Sequence, residues 1–256
     1  MRAMVRKILW ILEKYLSNIF YRRRLIQFKG VHDGQRCFII GNGPSLVAAD
    51  LELIKNEPSF AANSIFKIFE KTSWRPTYYV VQDAEYARGI VEHIPSVNAK
   101  QRFISMNVML KNFYFSRDDV GFYLDRSDVV NPPRFSHDFS ERSYEGFTVL
   151  YSAMQLAIYM GFKEIYLLGV DFKYSAHKDN QGNTLKAEGV ANNHFFEAQG
   201  KQVIGPLPNL QYSGMAYQKA EEFSKENGIK IFNCTRGGEL EAFERRTLEY
   251  VLSSEK

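Results

Sequence analysis

From Arg36 onward the chain alternates short, densely apolar runs with stretches whose apolar residues recur at helical spacing. The runs CFII (37–40), SFAAN (59–63), TYYVVQD (77–83), QRFISMN (101–107), GFYLD (121–125), KEIYLLGVDF (163–172) and IKIFNCT (229–235) read as buried strands. Between them 46–55, SIFKIFEKT (64–72), FTVLYSAMQLAIYMGF (147–162, closed by Gly161) and 214–227 read as helices, and a last helix is expected from Leu240. This alternation predicts an α/β, Rossmann-like fold: a mostly parallel sheet flanked by helices. Two stretches break the rhythm. Residues 126–146, rich in Ser, Pro, Arg and Asp, predict a long loop, and about 173–211, rich in Gly, Asn, Pro and Lys, predict an inserted lid that faces an acceptor.

Residues 1–30 carry another pattern. Val5, Ile8, Leu9, Leu12, Leu16, Ile19 and Phe20 recur at helical spacing among bases, which predicts a basic amphipathic helix ahead of a single domain over 31–256. Lys14 interrupts an apolar stretch shorter than the roughly 20 residues that a membrane span needs, and no small-residue cleavage site follows. Two roles stay open. The helix could lie on an anionic membrane surface, helped by Arg22, Arg23 and Arg24, or pack on the domain or on another subunit of a homo-oligomer.

Composition narrows the class. With 256 residues, 45% of them hydrophobic, the chain can bury a full core. A net charge of +4, concentrated near the N-terminus, argues against a dedicated nucleic-acid binder. Cys37 and Cys234 both fall inside apolar runs, so neither a disulfide framework nor a thiolate metal site is expected, and a cytoplasmic setting follows. There is no His-x-x-x-His pair and no CxxC; Asp118–Asp119 and Asp125/Asp128 read as solvated loop charge, and no metal or other cofactor is expected.

The candidate chemistry lies where apolar runs end. RCFIIGNGPSL (36–46) places Gly41, Asn42, Gly43, Pro44 and Ser45 between the first strand and a helix, where doubly wound folds bind ligand phosphates on backbone amides. Leu46 replaces the third glycine of the dinucleotide fingerprint, and no Gly-Lys-Ser/Thr follows, so a tight turn is the competing reading. Asn63, Gln82, Asp83 and Asp171, the last in Gly169-Val170-Asp171, end other predicted strands. Asn42, Asn63 and Gln82 offer both donors and acceptors, which suits a nucleotide base and ribose better than a metal. Of five histidines, His194 in ANNHFF is the best general-base candidate; His137 and His177 also fall in loops.

With these residues in view, the chain resembles the bacterial sialyltransferases that use CMP-sialic acid, and more closely the family labelled 6-hydroxymethylpterin pyrophosphokinase-like. The resemblance runs through most of 36–246 and rests on FIIGNGPSL, the Asn of AANSIF, GFKEIYLLGVDF, NNHFF and NCTRGGELEAF. It implies a glycosyltransferase that takes a CMP-activated, sialic-acid-like sugar for a surface glycan such as lipopolysaccharide or capsule, without a metal. Asn42, Gly43, Ser45 and Asn63 would hold the nucleotide, and Gln82 stands where the sialyltransferases have a third asparagine. Thr148 matches the first of a Thr-Ser pair whose second member is Val149 here. Lys173 and Tyr174 occupy the place of tyrosines that steady the departing phosphate, with Arg236 a further candidate, and His194 would be the base from the lid. The partners implied are a nucleotide-sugar donor, a glycan or glycolipid acceptor, and a membrane surface through the N-terminal helix. The alternative is an ATP- and magnesium-dependent pyrophosphokinase with Asp83 and Asp171 on the metal; a further one is a nucleotide-binding module without turnover.

Overall fold

The computed structural model describes residues 2–127, 133–179, 181–187, 192–196 and 206–253, with backbone alone for 2–6. Two helices come first, α1 (Arg2–Phe20) and α2 (Arg22–Ile26), then β1 (Arg36–Ile40), α3 (Ala48–Leu53), β2 (Ser59–Ala62), a 3₁₀ segment (Asn63–Ile68), β3 (Tyr78–Val81) and α4 (Ala84–Arg88). A short 3₁₀ turn (Ile94–Ser96), β4 (Gln101–Ser105), α5 (Met106–Lys111), β5 (Asp119–Phe122), β6 (Leu124–Asp125), β7 (Ser143–Tyr144), α6 (Val149–Tyr159) and β8 (Glu164–Leu168) follow. The chain continues through β9 (Ala176–Lys178), β10 (Thr184–Lys186), α7 (Leu210–Glu226), β11 (Lys230–Asn233), β12 (Glu244–Arg245) and α8 (Leu248–Ser253).

Eight strands form one sheet in the order β12-β11-β8-β1-β2-β3-β4-β5, and every ladder in it is parallel. Parallel strands buried on both faces need apolar residues at every position, which is why these runs are not alternating. In β1, Cys37 and Ile39 enter the core beneath α6 and α7, while Phe38 and Ile40 enter the core on the opposite face. On that second face Phe38, Tyr166 and Phe232 stack across β1, β8 and β11 at 5.3 and 5.4 Å. Burial pushes the Cys234 thiol up to about 12 and raises that of Cys37 well above its ordinary value, so both cysteines are packing groups.

The chain runs from β1 outward through β2 to β5, then returns to the other side of β1 through β8. The reversal falls between β1 and β8. At such a switch point the two connections leave in opposite directions and open a crevice at the strand ends.

Local chemistry moves several expected boundaries. The helix expected from Leu46 shrinks to α3, because Pro44 and Ser45 form a turn and Ser45 turns toward Asp171. Residues 64–72 adopt a 3₁₀ segment only as far as Ile68. Asp119 and Asp125 are not solvated: Asp119 is fully buried between Arg102 and Tyr114, and Asp125 is held by Arg142 and Ser127. Asp128 lies outside the described residues. The loop expected over 126–146 carries β7, which pairs with β6. The lid contains a β9–β10 hairpin closed by Asp179, which accepts from the backbones of Gln181 and Asn183. The helix expected from Leu240 starts later, because Glu244–Arg245 first extends the sheet beside β11.

Candidate functional site

A cavity of about 530 Å³ opens at the switch point, within the usual range for a small-molecule site. Of the residues singled out in the sequence, it is lined by Gly41, Asn42, Gly43, Asn63, Gln82, Asp83, Thr148, Gly169, Asp171, Lys173, Tyr174 and His194. Pro44, Ser45 and Arg236 stand outside its lining. Arg236 makes a two-pronged ion pair with Asp50 beside a separate, smaller cleft and does not reach the cavity.

The glycine loop is built differently from the expectation. Two of its amides are already used: Gly41 N–H donates to Leu168 O at 2.8 Å and Gly43 N–H to Gly169 O at 2.8 Å. Ser45 donates through Oγ to Asp171 Oδ2 at 2.7 Å, and its N–H points at the same oxygen. A Cβ on Gly43 would lie 2.7 Å from Gly169 O and 2.8 Å from Asp171 Cγ, and one on Gly41 would lie 2.9 Å from Gly169 C. The two glycines therefore let the bend after β1 dock against the bend after β8. Burial raises the Asp171 carboxyl above the ordinary aspartate range, and the Ser45 hydrogen bonds oppose that shift.

Gln82 is also committed to the fold. Its Nε2 donates to Glu145 O at 3.1 Å and its Oε1 accepts from Ser152 at 2.7 Å, which ties the tip of β3 to α6. Asp83 caps α4 by accepting from Tyr86 N–H at 2.6 Å. Thr148 caps α6 and reaches the Tyr217 hydroxyl at 3.4 Å.

Two groups on this wall remain unsatisfied. Asn42 donates through Nδ2 to Ala62 O at 3.0 Å, yet its buried Oδ1 has no partner among the described residues, and the same holds for Asn63 Oδ1. Buried acceptors without donors are uncommon, and in a cavity wall they point to a ligand that supplies N–H or O–H groups. Asn63 is also held at φ +53°, with its carbonyl accepting from Tyr79 at 2.6 Å.

Backbone strain marks the same place. Of the four non-glycine residues with positive φ among the described residues, three line the cavity: Asn63, Phe147 and Phe172. Phe147 stacks on Tyr212 at 4.7 Å, and Phe172 meets Tyr217 edge-on. Neither these aromatics nor Glu145 and Lys178 stand out in the sequence. Tyr212 and Tyr217 come from α7, far along the chain from Phe147, and their i, i+5 spacing gives no sign of a shared face.

The insert supplies the opposite wall. Phe195 N–H donates to Asn42 O at 3.0 Å, so the segment that carries His194 is pinned to the glycine loop. His194 stacks on Phe196, over which Lys67 places its amine at 4.0 Å. Asn193 accepts from Ser175 N–H at 2.7 Å and joins this segment to the one carrying Lys173 and Tyr174. Lys173 pairs with Glu239 at 2.9 Å with both partners largely exposed, a weak link that a ligand anion can replace. Lys178 projects from β9 into the same lining. Among the described residues, no three His, Cys, Asp or Glu gather closely enough to hold a metal ion.

A sequence model of the family described as "6-hydroxymethylpterin diphosphokinase MptE-like" matches residues 13–177, well over half of the chain. The chain belongs to the MptE-like family. This match takes in the whole glycine-loop wall and stops within the insert, before His194. No curated protein sequence matches significantly. Among solved structures, the MAf glycosyltransferase from Magnetospirillum magneticum AMB-1 shares the fold, with a TM-score of 0.51 and 16% identity, over 88% of this MptE-like chain and 37% of the other. The chain thus spans little more than a third of that glycosyltransferase.

Proposed function

We propose that this MptE-like protein is a transferase that binds a nucleotide-activated sugar at the switch point, with a CMP-linked, sialic-acid-like donor, and passes the sugar to a hydroxyl of a surface glycan. The observation that carries the reading is the pair of unpartnered acceptors, Asn42 Oδ1 and Asn63 Oδ1, in a cavity whose far wall bears bases. Phosphate oxygens only accept, so they cannot satisfy those two atoms; the amino group of a base and the hydroxyls of a ribose can. The nucleoside then rests on the glycine-loop wall. Its phosphate faces Lys173, Lys178 and Tyr174. The MAf protein that shares this fold is a glycosyltransferase by its description, which supports sugar transfer as the class of reaction.

In the reaction the anomeric carbon–oxygen bond to the phosphate breaks and a bond from the acceptor oxygen forms. His194 takes the acceptor's proton, and CMP leaves with the electron pair of the broken bond. Lys173, Lys178 and the Tyr174 hydroxyl stabilise the charge that develops on the departing phosphate.

A second reading follows from the family's description: diphosphate transfer from ATP to a pterin. Such chemistry uses magnesium, which would offset phosphate charge, and Asp83 and Asp171 are the strand-end aspartates in the lining that would hold it. Each already has one oxygen engaged, by Tyr86 N–H and by Ser45. A thermal-shift panel of CMP, CDP, UDP, GDP and ATP, with and without magnesium, separates the readings. Stabilisation by CMP without metal is expected; a shift by ATP with magnesium alone would replace the sugar-transfer reading with the second.

A further inference from the structure

α1 docks on the domain with the wrong face for a globular protein. Its inward side carries Trp10, Glu13, Leu16 and Ser17, with Glu13 and Ser17 buried. Glu13 receives a hydrogen-bonded ion pair from Arg126 at 2.5 Å, and the Arg126 guanidinium also faces the Trp10 ring at 5.7 Å. Burial raises the Glu13 carboxyl above the ordinary glutamate range, and Arg126 opposes that shift. The outward side is apolar instead. Ile8, Ile11, Leu12, Tyr15 and Ile19 form one stripe at helical spacing, each exposed by 41–61%.

A neighbouring element exposes further apolar side chains. α5 packs beside α1, and the chain leaving α5 exposes Phe113 by 88% and Phe115 by 62%. Phe113 is the remaining non-glycine residue at positive φ among those described, so a strained backbone holds an aromatic ring out in solvent. Arg24 fixes this loop by donating to the carbonyls of Arg117 at 3.1 Å and Asp119 at 2.7 Å. Large apolar side chains exposed on two neighbouring elements mark something that covers them.

Charge selects the occupant. Residues 1–32 contain Arg2, Arg6, Lys7, Lys14, Arg22, Arg23, Arg24 and Lys29 against a single acid, Glu13, which is buried and paired. Exposed Lys111 and Arg117 add two cations beside the phenylalanines, against the one exposed acid of that segment, Asp118. Two such faces brought together would repel, whereas an anionic interface answers both the apolar stripe and its rim. Among the described residues no helix is long and apolar enough to cross a membrane. We infer that the outward face of α1, extended by Phe113 and Phe115, lies in the surface of an anionic phospholipid bilayer. None of the described residues of α1 lines the cavity, so this face is independent of the transfer reaction performed there.

The test is flotation of the full chain with vesicles of pure phosphatidylcholine and of phosphatidylcholine with phosphatidylglycerol. Binding is expected to the anionic vesicles, weakening as salt is raised, with about a fivefold loss in partitioning for Lys14→Gln. Ile11→Asp and Ile19→Asp should each reduce partitioning about tenfold or more. Both side chains stand in solvent, so the circular dichroism spectrum and Tm should not change; Phe113→Ser provides an independent variant on a different element. Absence of binding to the anionic vesicles would overturn the proposal. So would light scattering that shows a dimer dispersed by Ile11→Asp, which would assign the face to a second copy of the chain.

Discussion

The two walls of the cavity differ in how much of their polar chemistry the fold has already spent. On the glycine-loop wall, Gly41, Gly43, Ser45, Gln82 and Asp83 are bonded within the protein, and among the described residues of that wall two asparagine oxygens are left over. On the insert wall, the cations are exposed and their ties are loose, as in the solvent-screened Lys173–Glu239 pair. A rigid wall with a few unmet acceptors selects what binds. On the other wall the exposed cations are held weakly enough for a ligand anion to draw on them. The difference teaches that a glycine-rich bend at a strand end can serve as a joint between two bends, with the unmet acceptors carried by Asn42 within it and Asn63 beside it.

Four variants break or sharpen this contrast. The largest effect belongs to His194→Ala on the insert wall: turnover of the nucleotide sugar should fall by about 10²–10⁴-fold while nucleotide affinity, measured by titration, stays as it was. Next is Gly43→Ala on the opposite wall, where the new methyl would collide with the Gly169 carbonyl and the Asp171 carboxylate. It should destabilise the fold by about 2 kcal/mol or more, seen as a Tm lowered by roughly 5 °C, because neither backbone nor a hydrogen-bonded side chain can yield cheaply. A smaller loss, about 1–2 kcal/mol, is expected for Gln82→Leu, which strips the Ser152 hydroxyl of its acceptor; denaturant unfolding measures it.

The smallest effect depends on pH. Burial raises the Asp171 carboxyl, so its native state favours the protonated form more than the unfolded chain does. That contribution is complete at low pH and is lost as pH rises through the native value, which leaves a charged, partly buried carboxylate at neutrality. Asp171→Asn keeps an oxygen for Ser45 and removes the charge. Its Tm should equal or slightly exceed that of the parent at pH 7, and the advantage should vanish as pH falls toward 4; a Tm that drops at pH 7 would show that the negative charge itself holds the joint.

Much of the fold was legible because the strands of a parallel sheet are apolar at every position, and runs such as CFII and EIYLL suit little else at that length. The site was legible only in part. Strand ends located Asn42, Asn63, Asp171 and their neighbours, since a sheet of this kind opens at its carboxyl edge. Whether a polar residue there faces the ligand or the fold depends on partners far away in sequence. Gln82 reads as a base-reading amide, and in the fold it lines the cavity while Ser152 and the Glu145 carbonyl each take one of its hydrogen-bonding positions. Ser45 and Asp171 read as two separate contacts, and in the fold they are partners of each other. Phe147 and Tyr212 could not be paired in advance, because a left-handed backbone at a phenylalanine has no signature in a single sequence. For α1 the period gave the helix and not its orientation, which Glu13 and Arg126 set by an ion pair across the chain.

The central claim is that Asn42 and Asn63 hold a nucleoside through oxygens the protein leaves unpaired. Calorimetric titration of CMP, without magnesium, into the parent protein and into Asn63→Ala tests it most directly. Saturable binding that weakens about five- to tenfold in the variant, the worth of one hydrogen bond to a buried acceptor, is the predicted result. Equal affinity in the two proteins, or no binding of CMP to either, would contradict it.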